Sequence, residues 1–289
     1  MHIYSPYSNI LKINYCFMGK NLIKVAICYD FDGTLAPGNM QEYGFMNALG
    51  TTPDEFWGKS DKLADETKAD KNLCYMLTML REAKAKKIPF RKEDLARFGK
   101  NIPLFEGVKG YFNRINAYAR EHGIELQHFL LSSGLKEIVS GLPISKEFTK
   151  VYACSFMYDE NGEAFWPAQV VNYTTKTQYI FRINKGCLDE SDMSVNDRKP
   201  NELRDIPFSR IMYIGDGLTD VPCMSMLRQS GGMALAVYTL KGSKHALKLL
   251  NDSRVDNIAV ADYSENSTLD LLIKSWLRKI KAEQDFKNL

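Results

Sequence analysis

The segment Val25-Ala26-Ile27-Cys28-Tyr29 runs directly into Asp30-Phe31-Asp32-Gly33-Thr34, and the rest of the architecture can be worked out from it. Its first half is a short apolar run, which is typical of a strand buried on both faces of a parallel sheet. Its second half provides two carboxylates and then turns at a glycine. Because ligand crevices in open α/β sheets lie at the carboxyl ends of strands, the segment predicts a site as well as a strand.

Comparable apolar runs recur along the chain, and each ends in a polar or glycine-containing loop. They occupy residues 129–131, 211–214, 233–237 and 258–260. Helical periodicity lies between them: one apolar stripe spans residues 108–119, and another spans residues 269–280 after the capping signal Ser267-x-x-Asp270. Strands that alternate with helices in this way predict an α/β sheet with helices on both faces.

This alternation stops between residues 37 and 103. The stretch contains no convincing buried strand, and Pro53, Pro89 and Pro103 punctuate its helix-like sequence. The first strand and the next core strand lie about 100 residues apart, whereas a strand-helix-strand unit takes only about 30 residues. The sequence therefore predicts an inserted, mostly helical module over residues 37–103.

The composition is that of an ordinary globular chain. Of the 289 residues, 45% are hydrophobic and 25% are charged, which excludes disordered, collagenous and small disulfide-stapled classes. The net charge of +3 does not argue for a nucleic-acid or membrane partner, so we expect neither. The six cysteines form no C-x-x-C pair, and no apolar run approaches the roughly 20 residues that span a bilayer. We therefore expect a cytoplasmic protein.

The N-terminal residues 1–19 are expected to form an extension outside the core. Their apolar stretch carries Lys12 and Asn14 and lacks a small-residue cleavage site, so it does not have the pattern of a signal peptide. Met18 is an alternative start, and an ordered N-terminal arm is the other interpretation.

A second acidic segment, Gly215-Asp216-Gly217-Leu218-Thr219-Asp220, follows the apolar run 211–214. An isolated Asp-x-Asp-Gly often forms a simple turn, but two acid pairs at equivalent strand ends are hard to explain as turns. Carboxylates this close repel one another unless a cation or a shared proton intervenes, and Mg²⁺ prefers oxygen ligands. A dinucleotide site at Gly215-x-Gly217 is excluded because Asp220 stands at the third glycine position and would repel a pyrophosphate.

Two segments between the acid pairs offer donors to a phosphate. Ser132-Ser133-Gly134 follows a strand and precedes a helical segment, so the sequence places it at a helix N-terminus, either as an anion site or as a plain cap. Lys176 follows a hairpin that is predicted between residues 151 and 171 around the turn signal Asp159-Glu160-Asn161-Gly162. A lysine at this position can reach a phosphoryl oxygen or the first aspartate.

In chain order and spacing, these segments resemble the four motifs of the haloacid dehalogenase-like (HAD) superfamily. The matching residues are Asp30-x-Asp32-Gly-Thr for the first motif, Ser132 for the second, Lys176 for the third and Gly215-Asp216-Gly217-x-x-Asp220 for the fourth. The resemblance covers about residues 22–262 apart from the inserted module. It implies a Rossmann-like, doubly wound parallel core at residues 20–36 and 104–289, with an inserted, mostly α-helical cap domain at residues 37–103.

The resemblance also implies a role for each matching residue. Asp30 would be the nucleophile that forms an aspartyl-phosphate, and Asp32 would be the general acid and then the base. Asp30, Asp216 and the main-chain carbonyl of Asp32 would hold Mg²⁺, with support from Asp220. The phosphoryl group would be bound by Ser132, Ser133, Gly134 and Lys176.

The implied protein is a Mg²⁺-dependent phosphatase of a small phosphorylated metabolite. Asp32 indicates ester chemistry, because an alkoxide leaving group needs a proton and a halide does not. The cap position is similar to that of the phosphoserine phosphatase branch, but Asn39 stands where that branch tends to have a glutamate, which argues against phosphoserine. A non-catalytic phosphometabolite-binding protein and a phosphotransferase such as a mutase stay open, and the sequence leaves the oligomeric state unspecified.

Overall fold

A seven-stranded sheet forms the centre of the molecule. The computed structural model describes residues 22–239 and 242–289, so the predicted N-terminal extension lies outside the described residues. The strands are β1 (Ile23–Tyr29), β2 (Ile124–Leu135), β3 (Lys150–Tyr158), β4 (Ala164–Gln169), β5 (Ile211–Gly215), β6 (Met233–Tyr238) and β7 (Asn257–Val260). Their order in the sheet is β4-β3-β2-β1-β5-β6-β7, and only β3 and β4 pair antiparallel.

β1 lies in the middle of the sheet because its side chains are apolar on both faces. Residues 25–29 are completely buried. β1 pairs in parallel with β2 on one side and with β5 on the other; Ala26, for example, lies opposite both Gln127 and Ile211. The carboxyl ends of β1 and β5 therefore meet at one edge of the sheet. The predicted α/β class and the predicted β3–β4 hairpin are confirmed.

Helices flank the sheet and fill the stretch between β1 and β2. They are α1 (Met40–Tyr43), α2 (Phe45–Leu49), α3 (Pro53–Thr67), α4 (Lys71–Ala85), α5 (Lys92–Gly99), α6 (Val108–Glu121), α7 (Lys136–Ser140), α8 (Thr175–Lys185), α9 (Val221–Gln229), α10 (Ser243–Asn251) and α11 (Thr268–Lys287). The predicted cap of α11 is present, since the Ser267 hydroxyl accepts from the Asp270 N–H at 3.1 Å. Within the described part of the chain, no helix is both long and apolar enough to cross a membrane.

Residues 37–103 are helical and contain no element of the central sheet. They contact the remainder of the chain most closely where α5 packs against α7. A Cβ atom on Gly99 would lie 2.0 Å from the Ile138 carbonyl oxygen, and one on Gly141 would lie 1.7 Å from the Ala96 carbonyl oxygen. Only glycine at these two positions allows the two backbones to approach so closely.

A buried polar network lies beneath the central strand. The His128 Nε2 lies 2.9 Å from the Asn116 side-chain oxygen and therefore carries the proton, so that Nδ1 accepts from the Tyr29 hydroxyl at 2.9 Å. The Tyr29 hydroxyl also lies 3.0 Å from that of Tyr111. Burial lowers the pKa of His128 from 6.5 to about 3. The folded protein therefore holds this imidazole neutral.

Acid is expected to weaken the fold through His128. Between pH 6.5 and about 3 the unfolded chain binds a proton at this side chain and the folded chain does not. Neutral His128 therefore makes its full contribution to the free energy of unfolding above pH 6.5. Below pH 6.5 this contribution decreases by about 1.4 kcal/mol for each unit by which the pH is lowered. Urea unfolding of the protein and of His128→Gln at several pH values below 6.5 measures the difference in slope. Equal slopes would contradict the assignment.

Candidate functional site

Three carboxylates meet at the carboxyl ends of β1 and β5. Asp30 directly follows β1, and its N–H donates to the Ile214 carbonyl at 2.9 Å, which continues the ladder between the two strands. Asp216 directly follows β5, and Asp220 lies one turn further on. Each of the three acids offers a carboxylate oxygen within 4.8 Å of the others. The parallel pairing of two distant segments thus creates one acidic cluster.

Lys176 joins this cluster from α8 and is completely buried. Its ammonium lies 2.9 Å from Oδ1 of Asp30 and 2.8 Å from Oδ1 of Asp220. Asp220 is itself held in place, because it accepts from the Tyr213 hydroxyl at 2.7 Å and from the Gly217 N–H at 3.2 Å. Asp220 therefore orients Lys176, which in turn orients the Asp30 carboxylate.

The charges within the cluster are not balanced. Burial and the nearby Asp220 carboxylate raise the pKa of Asp30 to about 6, although Lys176 opposes this shift. Burial and the carboxylates of Asp30 and Asp220 raise the pKa of Asp216 to about 8. Burial alone would lower the pKa of Lys176, but Asp220 and Asp30 raise it overall, so the lysine stays charged. The carboxylate oxygens thus favour the binding of a further positive charge. Because all of the ligand atoms in the cluster are oxygens, the cluster fits a hard cation such as Mg²⁺.

Asp32 lies beside the cluster and has a different set of contacts. The turn at Gly33 directs its side chain toward α1, where its Oδ1 accepts from the Met40 N–H at 2.8 Å. Burial and the Asp30 carboxylate raise the pKa of Asp32 well above its usual value. This shift favours the neutral, protonated form of the carboxyl group.

Gly33 is required for both the turn and the site. Its φ is +77°, and a Cβ atom there would lie 2.1 Å from Oδ2 of Asp216. Gly162, in the β3–β4 turn, has the same φ of +77° but no heavy atom within 4 Å of the Cβ position. The two positions therefore separate the cost of backbone strain from the cost of displacing Asp216.

We expect Gly33→Ala to be far more damaging than Gly162→Ala. Backbone strain alone costs about 1–2 kcal/mol at either position. At Gly33 the clash with Asp216 adds about 1–3 kcal/mol, as an overpacked core does, and moves a carboxylate of the cluster. Urea unfolding measures both costs. Equal losses of unfolding free energy in the two variants would show that the Asp216 side chain moves aside without cost.

The segment Ser132-Ser133-Gly134 differs from its prediction. It belongs to the end of β2, and α7 begins only at Lys136 and has five residues, so the predicted helix N-terminus at these serines is wrong. The pairing of β2 with β3 shifts register between Ser132 and Leu135, which allows the strand to continue through the glycine. The buried Ser132 hydroxyl accepts from the Gly134 N–H at 3.0 Å, while Ser133 lines the cavity over the acids.

A cavity of about 630 Å³ lies above the acidic cluster. Its floor includes Asp30, Asp32, Lys176 and Asp216, and the helical residues 37–103 form the opposite wall. Two contacts hold that wall to the core: Asn72 donates to the Val171 carbonyl at 2.8 Å, and Asn172 donates to Asp70 at 3.0 Å. The sequence analysis did not identify Asp70, Asn72 and Asn172 as residues that join the helical segment to the core. The only local signal among them is that Asp70 caps α4.

No family model matches the chain. An uncharacterized protein of Borreliella burgdorferi is 30% identical to it over an alignment of 274 residues, and the match covers 85% of this chain and 93% of the relative. Among solved structures, a HAD family hydrolase from Salmonella enterica serovar Typhi superposes with a TM-score of 0.56 at 15% identity, covering 94% of this chain and 80% of that one.

A probable phosphoserine phosphatase from Vibrio cholerae superposes with a TM-score of 0.57 at 10% identity, covering 90% of this chain and 67% of that one. At such identities the superpositions report on the fold. Together with the parallel sheet and its strand order, they confirm the resemblance that the motifs indicated. The chain therefore belongs to the same family as the Borreliella burgdorferi protein and has the HAD-like fold.

Proposed function

We propose that the protein is a Mg²⁺-dependent phosphatase that hydrolyses a small phosphomonoester. The observation that carries this proposal is the contact of Lys176 with both Asp30 and Asp220, beside Asp216, at the floor of a cavity. Phosphoryl transfer needs mainly positioning and neutralisation of charge on the phosphoryl oxygens. A buried ammonium beside a cation site supplies that neutralisation.

Asp30 is the proposed nucleophile. Lys176 contacts its Oδ1 at 2.9 Å, which fixes the rotation of the carboxylate and favours its charged form. A carboxylate oxygen of Asp30 attacks phosphorus, the bond from phosphorus to the ester oxygen breaks, and an aspartyl-phosphate forms. Water then attacks phosphorus, the bond to Asp30 breaks, and inorganic phosphate leaves.

Asp32 is the proposed acid and base. Its raised pKa favours the protonated carboxyl group, and in the proposed mechanism that proton passes to the ester oxygen as the first bond breaks. The resulting carboxylate then takes a proton from the attacking water. The Met40 N–H, 2.8 Å from Oδ1, holds the side chain in place for both steps.

Asp30, Asp216 and the main-chain carbonyl of Asp32 are the proposed ligands of Mg²⁺. When bound, the ion neutralises charge on the transferring phosphoryl group. The roles of Ser132, Ser133 and Gly134 as phosphate donors are part of the same proposal, beside Lys176. Residues 37–103 serve as the cap, which closes the cavity and contacts the alcohol part of a small phosphorylated metabolite.

Release of phosphate from a chromogenic aryl phosphate is expected to depend on added Mg²⁺. Excess EDTA should stop the reaction, and Mg²⁺ in excess of the chelator should restore it, because the acid cluster needs a cation before it can accept a phosphate dianion. Activity that persists in excess EDTA would contradict the metal site. Phosphate that is transferred to an added alcohol and never released would instead indicate a phosphotransferase.

A further inference from the structure

The first turn of α4 meets the residues before α8 at the rim of the cavity. The Asn72 side chain donates to the Val171 carbonyl at 2.8 Å. In return, the Asn172 side chain donates to Oδ2 of Asp70 at 3.0 Å. Asp70, Asn72 and Asn172 all line the cavity over the acidic cluster. The inserted helical segment (residues 37–103) is therefore hydrogen-bonded to the core directly before α8.

Asn172 uses the other end of its amide to hold the start of α8. Its side-chain oxygen accepts from the N–H groups of Thr174 and Thr175 at 3.1 and 3.0 Å. Its main-chain carbonyl accepts from the Lys176 N–H at 2.9 Å. The first N–H groups of a helix have no partners within the helix, so these contacts fix the position of its first turn. The partners also assign the amide, since N–H donors face its oxygen and a carboxylate faces its nitrogen.

Asp70 has the same double role at the start of α4. Its Oδ1 accepts from the N–H groups of Asn72 and Leu73 at 2.8 and 3.1 Å, while its Oδ2 accepts from Asn172. The side chains that hold the starts of two helices, one in the inserted helical segment and one in the core, thus bind each other. Because a side-chain amide is planar and rigid, α4 cannot move away from the rim without breaking this contact or shifting the first turn of α8.

The first turn of α8 also carries the lysine of the acidic cluster. Lys176 is the second residue of this helix, and its ammonium lies 2.9 Å from Oδ1 of Asp30. A continuous series of contacts therefore runs from Asp70 through Asn172 and Lys176 to Asp30. Asp220 holds the same ammonium at 2.8 Å, so a shift of the helix start would misalign the lysine without releasing it.

We infer that Asn172 is a positioning residue, which aligns Lys176 with Asp30 according to where the inserted helical segment lies on the cavity rim. This inference rests on the proposed function, in which Lys176 binds the phosphoryl group and Asp30 attacks phosphorus. Asn172 acts on the reaction through the lysine, and its contact with Asp70 makes the starts of α4 and α8 move together.

The test exchanges the donor and the acceptor of this contact. Asn172→Asp keeps an oxygen for the N–H groups of α8 but has no donor for Asp70. Asp70→Asn keeps an oxygen for the N–H groups of α4 but has no second acceptor for Asn172. With the full chain, Mg²⁺ and an aryl phosphate, we expect each change to lower kcat about tenfold, as the loss of one hydrogen bond to a charged group does. The double variant Asp70→Asn/Asn172→Asp restores the contact in reverse, and its kcat should return to within about threefold of that of the unaltered protein.

Charge alone predicts a different result. Both positions line the cavity, so the carboxylate gained in Asn172→Asp would weaken the binding of a phosphate dianion, and the one lost in Asp70→Asn would strengthen it. Losses in both single variants, with recovery in the double variant, separate the contact from this effect. Glu163→Gln is the matched control. Glu163 joins the β3–β4 hairpin to Arg91 of the inserted helical segment at 2.7 Å, and its replacement should leave kcat unchanged.

A further variant shows whether Asn172 acts through the lysine. Added to Lys176→Met, Asn172→Asp should lower kcat by less than about twofold, because the group that it positions is already gone. A further loss of about tenfold in that background would show that Asn172 acts by another route and would overturn the inference. If Lys176→Met does not fold, the exchange of Asp70 and Asn172 decides the question alone.

Three outcomes of the exchange are decisive. Folded single variants whose kcat stays within about twofold of that of the unaltered protein would reduce the contact to a structural one and overturn the inference. A double variant that does not recover would overturn it as well. Both outcomes leave the phosphatase proposal standing. Absence of turnover of every phosphate ester by the unaltered protein would overturn the proposed function, and this inference with it.

Discussion

Asp30→Asn is expected to reduce turnover of an aryl phosphate by about 10⁴–10⁶-fold, the range seen when an enzymatic nucleophile is removed. Asparagine has nearly the shape of aspartate, and its side-chain oxygen can still accept from Lys176. It is a far weaker nucleophile and forms no aspartyl-phosphate. Steady-state kinetics with Mg²⁺ present gives the measurement.

The fold should survive this change. The fold raises the pKa of Asp30 to about 6, which means that burial disfavours its charged form, so a neutral side chain does not lower the free energy of unfolding. Asp252→Asn, at an exposed position after α10, is the matched control and should keep full activity. Turnover by Asp30→Asn within tenfold of the unaltered protein would rule out the nucleophile assignment.

Lys176→Met should damage both stability and activity. Methionine fills a similar volume, but Asp30 and Asp220 would lose the one ammonium that contacts both of them. Breaking a buried ion pair on one side costs about 3–5 kcal/mol because it leaves an unpaired charge. The loss of a donor to the phosphoryl group is expected to lower kcat about 10²–10³-fold. Urea unfolding and steady-state kinetics measure the two effects separately.

A second variant separates the two roles of this lysine. Adding Asp220→Asn to Lys176→Met removes one of the unpaired carboxylates, so part of the free energy of unfolding should return while the activity stays low. Lys185→Met is the control on the same helix; Lys185 donates to the Val195 and Asp197 carbonyls and should affect activity little. If Lys185→Met is the more damaging to turnover, Lys176 is not the phosphate-binding lysine.

The features that were predictable are those that local sequence encodes. The apolar run 25–29 has the pattern of a doubly buried strand, and the sheet places it at the centre. The acids after β1 and β5 meet because parallel strands present their carboxyl ends at one edge. That Lys176 reaches Asp30 agrees with the expectation for a lysine at the start of the helix after the hairpin.

The features that were missed depend on contacts between distant segments. Asn172 and Asp70 are 102 residues apart, and nothing local to either one indicates that they meet. The continuation of β2 through Gly134 depends on a register shift against β3, which periodicity within β2 alone does not reveal.

The close contact between α5 and α7 limits how the helical residues 37–103 can be exchanged. At Gly99 and Gly141 the two backbones touch without any side chain between them, so neither position tolerates even a methyl group unless the helices separate. A chimaera that carries a foreign helical insert on this core would need a glycine where Gly99 stands. Insert swapping and library design should therefore hold these two sites constant and vary the cavity wall instead.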